Sequence, residues 1–125
     1  MFENNLKIAR SYYNTMNSKD LPAIAQYLHD DIVFIGPMAE VPGKDAFLKA
    51  IEGFMSILDR VEITSGFASE SQAMLAYDLH CQKPFGTARA SALFTIENEL
   101  IKCIELFYDS HPFRVKKDDI FSADK

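Results

Sequence analysis

The chain reads as an α+β domain, with three N-terminal helices set against a curved antiparallel sheet. Three observations predict this class. Apolar residues recur at three- and four-residue spacing through the first half, and at spacing two from residue 60 onward. Turn-forming clusters punctuate the second half: Glu70-Ser71, Lys83-Pro84-Phe85-Gly86 and Glu97-Asn98-Glu99. Ten Phe and five Tyr in 125 residues imply a wide core, with room for a cavity inside it. Helices gathered on one face of an antiparallel sheet can enclose a cone-shaped pocket.

The elements follow in order. Leu6, Ala9, Tyr12, Tyr13 and Met16 make one apolar stripe, which predicts a helix over residues 3–17. Asp20 is placed to cap a second short helix, with Pro22 tolerated in its first turn. Leu21, Ile24, Ala25 and Leu28 form its inner side, and His29-Asp30-Asp31 ends it. Ile32-Val33-Phe34-Ile35 predicts a short strand buried on both faces, stopped by Gly36-Pro37. A loop leads to Pro42-Gly43. A third helix over residues 44–58 then turns Phe47, Ala50, Ile51, Phe54, Ile57 and Leu58 inward.

Four strands complete the meander, at 60–69, 72–82, 87–96 and 100–109. Val61, Ile63, Ser65 and Phe67 share one face of the first. In the second, Leu75, Tyr77, Leu79 and Cys81 alternate with Met74, Ala76, Asp78 and His80. One domain is expected over residues 1–113, followed by a charged, mobile tail at 114–125.

Composition excludes several function classes. Thirteen basic against 18 acidic residues give a net charge of −5, with no basic cluster for nucleic acid. No apolar run is long enough to span a bilayer. Glu3, Lys7 and Arg10 interrupt any signal-peptide core, so a cytoplasmic location is expected. Cys81 and Cys103 supply no disulfide or metal framework and are expected as small buried hydrophobes. His29 beside Asp30 and Asp31 reads as a solvated helix end, and His111 as exposed. No metal site, no phosphate loop and no nucleophile elbow is predicted, and no cofactor.

The strings Tyr12 to Leu21, Ile24 to Phe34, Gly36-Pro37 and Pro42 to Phe47 resemble the NTF2-like superfamily, in particular its SnoaL-like polyketide cyclases and ketosteroid isomerases. The resemblance spans about residues 3–113. It implies a cone-shaped α+β barrel, a small-molecule pocket, and pairing of two copies through the sheet. Ketosteroid isomerases use an aspartate base, with a tyrosine and a protonated acid as oxyanion donors. By the resemblance the tyrosine matches Tyr12, the base falls at Gly36 and the acid near Ala92. Neither Gly36 nor Ala92 can move a proton, so steroid-type isomerisation by that mechanism is not expected.

Four residues remain as candidates for chemistry. In the last strand Glu105 shares a face with Ile101, Cys103 and Phe107, and by the resemblance that face looks into the cone. Turned into the cone, a carboxylate among apolar neighbours suits general acid/base work. Turned outward, it would pair with a base such as Arg89. Asp78 and His80 lie two apart on one strand and could act as an acid/base pair if they face inward. The clean apolar set Leu75, Tyr77, Leu79 and Cys81 competes for that side, and the outward placement is preferred. Tyr12 is either a pocket donor or a core residue. The expected pocket wall comprises Phe34, Phe54, Val61, Ile63, Tyr77, Leu79, Phe94, Cys103 and Phe107. The leading expectation is therefore a small apolar or aromatic ligand in the cone; whether it is also turned over stays open, and proton transfer is the first reaction class to test. The alternative is a non-catalytic homodimeric module that acts through its sheet surface. Neither reading needs a nucleic-acid or membrane partner.

Overall fold

A computed structural model describes residues 2–37 and 39–108. The expected tail at 114–125 and His111 lie outside them. Helix α1 spans Phe2–Asn17, and Asn17 hands over to Lys19, whose backbone takes a positive φ of 59°. The Asp20 side chain accepts from the Ala23 amide at 3.1 Å and starts α2, Leu21–Ala25. That is the cap and the proline placement the sequence predicts.

The chain then enters β1 at Leu28–Ile35, four residues earlier than expected. Asp30 and Asp31 are poor strand formers, so the sequence reads them as a helix end. Long-range pairing overrides them: Leu28 sits opposite Ile101, and the Ile101 amide donates to the Tyr27 carbonyl at 2.8 Å. Ile32 is buried, but Ile35 is exposed, so this strand is not covered on both faces. A three-residue strand, β2 at Glu40–Pro42, pairs back onto β1. It is too short to show a period, and Pro42 at its end hides it. Helix α3 covers Lys44–Met55 and stops three residues before its expected end, because Leu58 already begins the next strand.

The meander forms as expected, with β3 at Leu58–Ala68, β4 at Gln72–Cys81, β5 at Thr87–Glu97 and β6 at Leu100–Tyr108. The β5–β6 turn places Asn98 and Glu99 at φ 53° and 66°, the two left-handed positions a tight hairpin needs. The six strands make one curved sheet in the order β2-β1-β6-β5-β4-β3, with β1 and β6 parallel. The sheet is open rather than closed into a barrel. Helix α1 lies across β3 and β4, and α3 covers β1. Gly66 leaves no room for a side chain, since a Cβ there would fall 2.7 Å from Leu75 Cδ2 on the neighbouring strand and 2.9 Å from Leu6 Cδ1 on α1.

Register decides which side chains look under the helices. β4 and β5 alternate cleanly, so Leu75, Tyr77 and Leu79 with Ala90, Ala92, Phe94 and Ile96 form the inner wall. β3 and β6 do not. Ile63 faces Tyr77 but Ser65 faces Ala76, so Thr64 is an extra residue, and its hydroxyl donates to the Ala76 carbonyl at 3.0 Å. That bulge throws Ser65 and Phe67 onto the outer face, against the expectation that they follow Val61 and Ile63. In β6, Ile96 faces Ile101 while Thr95 faces Cys103, so Lys102 is the extra residue.

Candidate functional site

The inner wall is built around four rings. Tyr12 meets Tyr13 at 4.9 Å and Phe94 at 5.8 Å, and Tyr13 meets Tyr77 at 4.5 Å and Phe94 at 5.7 Å. Tyr12 and Phe94, Tyr13 and Phe94, and Tyr12 and Tyr13 meet edge to face, the favoured arrangement for quadrupolar rings. The Tyr13 and Tyr77 hydroxyls share a hydrogen bond of 2.6 Å. Burial holds the Tyr12 phenol well above its usual range, with the Tyr13 charge second. Tyr13 is raised by burial and then by Tyr77, and Tyr77 by burial against the opposing Tyr13 bond. These phenols stay protonated at neutral pH. Tyr12 is the expected pocket donor, yet the hydrogen bond belongs to Tyr13. Two adjacent tyrosines on one helical stripe gave no signal to separate them.

Of the expected wall, Val61, Tyr77, Leu79 and Phe94 are buried on the inner face. Ile63, Phe34 and Phe54 are half-buried against the same core, with the Phe34 ring tilted against that of Phe47 at 5.4 Å. Gly36 follows β1 and Ala92 is fully buried on the inner wall, and neither has a side chain that can supply a proton.

Glu105, Cys103 and Phe107 are corrections to the cone reading. Phe94 faces Ile104 and Ala92 faces Leu106, so Ile104 and Leu106 look inward. Glu105 pairs with Leu93 and Ile35 on the outer face, and Cys103 and Phe107 flank it there. The bulge at Lys102 is the cause: it reverses the alternation that would have kept all three with the buried Ile101. Arg89 does not pair with Glu105. It lies opposite Asp78, 3.9 Å away.

Asp78 and His80 are also on the outer face, as preferred. The His80 ring contacts Glu62 Oε1 at 2.9 Å and Thr87 Oγ1 at 3.2 Å, which ties β3, β4 and β5 together. The His80 bond, then Arg60 at 3.3 Å, holds the Glu62 carboxyl below its usual range. Among the described residues, ligand atoms of Glu62, Asp78 and His80 lie within 4.8 Å of one another, close enough to grip one cation. Each already has a partner in this ladder, which accounts for the grouping without an ion. His29, expected at a helix end, is half-buried in β1, with Nδ1 accepting from the Asp31 amide. Cys81 is buried and its thiol is pushed up to about 11 by burial, then by Asp59.

A pocket of about 340 Å³ opens where β1 and β6 end side by side. Ile35, Gly36 and Pro37 line it from one strand, and Glu105, Leu106, Phe107 and Tyr108 from the other. Its walls are mostly apolar, and Glu105 is its one acidic side chain among the described residues.

Comparison with known proteins follows the same lines. The SnoaL-like domain model matches residues 9–104. A Kribbella flavida protein of known structure is 26% identical with a TM-score of 0.81, covering 91% of this chain and 96% of its own. An NTF2-like protein from Cytophaga hutchinsonii is 20% identical with a TM-score of 0.76, covering 86% and 91%. TerC, crystallised with polyporic acid, is 13% identical with a TM-score of 0.78, covering 90% and 96%. A search of curated proteins gave no match. No helix among the described residues is long and apolar enough to cross a membrane. With most of its length matched by that model, its helices at the N-terminus and its sheet curved beneath them, the chain belongs to the SnoaL-like domain family of the NTF2-like fold.

Proposed function

We propose that this chain binds a small, largely apolar molecule in the pocket at the ends of β1 and β6, with Glu105 as its polar contact. The observation that carries the reading is the pocket itself: apolar walls from Ile35, Pro37, Leu106 and Phe107 around one carboxylate among the described residues. The four rings under the helices argue for this place over the cone centre, since they already occupy one another's faces. Any proton transfer of the isomerase or cyclase type would fall to Glu105. No described carboxylate lies on the inner wall traced by the strand registers.

The test uses Nile red as an uncharged probe. Saturable fluorescence enhancement is expected, weakened about tenfold by Phe107→Ala and untouched by Phe67→Ala on the far edge. Binding unchanged by Phe107→Ala would sink the reading.

A second reading rests on the exposed apolar residues of the outer face, two of which also line the pocket. Phe67 is 75% exposed, Phe107 47%, Met74 37% and Ile35 36%, all on the outer face. Burying such a patch against a second copy would give a homodimer. Sedimentation should then show a dimer that Met74→Glu dissociates. A monomer mass at micromolar concentration would contradict it.

A further inference from the structure

Among the described residues the pocket's charge is lopsided. Glu105 has Ile35 and Leu93 directly across from it, and Cys103 and Phe107 beside it on the same face. Among the described residues no basic side chain forms an ion pair with it: Lys102 is held by Glu97, Lys44 by Asp30, Arg60 by Glu62 and Arg89 by Asp78. A second carboxylate lies close by. Ile35 sits between Glu105 on β6 and Glu40 on β2, so the two acids flank it, with backbones about 10 Å apart at ordinary strand spacing. The local field registers on Cys103, whose thiol is pushed up by burial first and then by Glu105 and Glu40.

We infer that the ligand of this pocket is an organic cation with an apolar body, an arylalkyl ammonium in class. The inference rests on the pocket reading above and adds the sign of the ligand's charge. A neutral ligand covering Glu105 would strip water from a carboxylate and give nothing back. An anion would meet Glu105 and Glu40 together. A cation replaces the lost water with a charge-assisted hydrogen bond, and the exposed Phe107 ring can receive its positive edge. The apolar body fills the space between Ile35, Pro37 and Leu106.

The experiment compares three probes of one shape: phenethylammonium, phenethyl alcohol and phenylpropionate. Each is titrated into the full chain at neutral pH and followed by the methyl NMR signals of Ile35 and Leu106. The ammonium is expected to bind about tenfold tighter than the alcohol, with the carboxylate weakest. Glu105→Gln should collapse the preference, and Glu40→Gln should reduce it about twofold. High salt should shrink it too, a readout that does not depend on any variant folding. Equal binding of all three, a preference for the carboxylate, or a preference that survives both Glu105→Gln and high salt would overturn the charge assignment. In those cases the pocket reading stands. Shifts absent from Ile35 and Leu106 with every probe would remove the pocket reading and the inference with it.

Discussion

The ring cluster under the helices and the pocket beside β6 are both aromatic and both carry oxygen atoms, yet they differ in what those atoms lack. Tyr13 and Tyr77 satisfy each other at 2.6 Å, and among the described residues no buried side-chain polar atom is left without a partner. Glu105 has apolar neighbours and no ion pair among the described residues. The first region therefore explains why the chain folds. The second has chemistry left over, and that is where a ligand is expected.

The largest effects that test this contrast are on stability. Phe94→Ala removes the ring on which Tyr12 and Tyr13 both pack, and it should cost about 3–5 kcal/mol in urea unfolding. Phe107→Ala, half-exposed, should stay within about 0.5–1 kcal/mol. Equal costs would erase the contrast.

Alkaline titration follows. The folded pKa values of Tyr12, Tyr13 and Tyr77 all lie above the ordinary value of 10.0. The unfolded chain therefore loses these protons first. Stability should be intact below pH 10 and fall above it, by up to about 1.4 kcal/mol per pH unit for each phenol. A flat unfolding midpoint between neutral pH and about pH 11 would show that the phenols are not buried.

Tyr77→Phe should cost about 1–3 kcal/mol, because it strands the Tyr13 hydroxyl in an apolar core. Adding Tyr13→Phe should recover part of that loss. If the double variant is the sum of the singles, the bond is not coupled.

The smallest effect is on the outer ladder. Glu62 has a lowered carboxyl pKa through His80 and Arg60, so its contribution is present above its ordinary value of 4.5. It is lost as pH falls through the folded value. The group is fully exposed, so a slight acid-side shift in the unfolding midpoint is expected, and it should vanish in Glu62→Gln. An identical acid profile in that variant would remove the ladder from the account.

How legible each region was depends on strand regularity. The sequence showed the α1 stripe, the Asp20 cap and the alternation of Leu75, Tyr77 and Leu79, because those elements keep a single period. It misplaced Phe67, Cys103, Glu105 and Phe107, because one extra residue, Thr64 in β3 or Lys102 in β6, shifts the parity of everything beyond it. β6 is apolar on both faces, so hydrophobicity could not reveal the slip. Glu105 stood out as a carboxylate among apolar neighbours, and it is one. Only its face was wrong, and with it the location of the site.

The decisive measurement is a crystal of the full chain soaked in phenethylammonium. Density is expected with its nitrogen on the Glu105 carboxylate and its ring beside Phe107, between Gly36-Pro37 and Tyr108. Density lodged instead between Tyr13 and Tyr77, with the β1–β6 pocket empty, would contradict it.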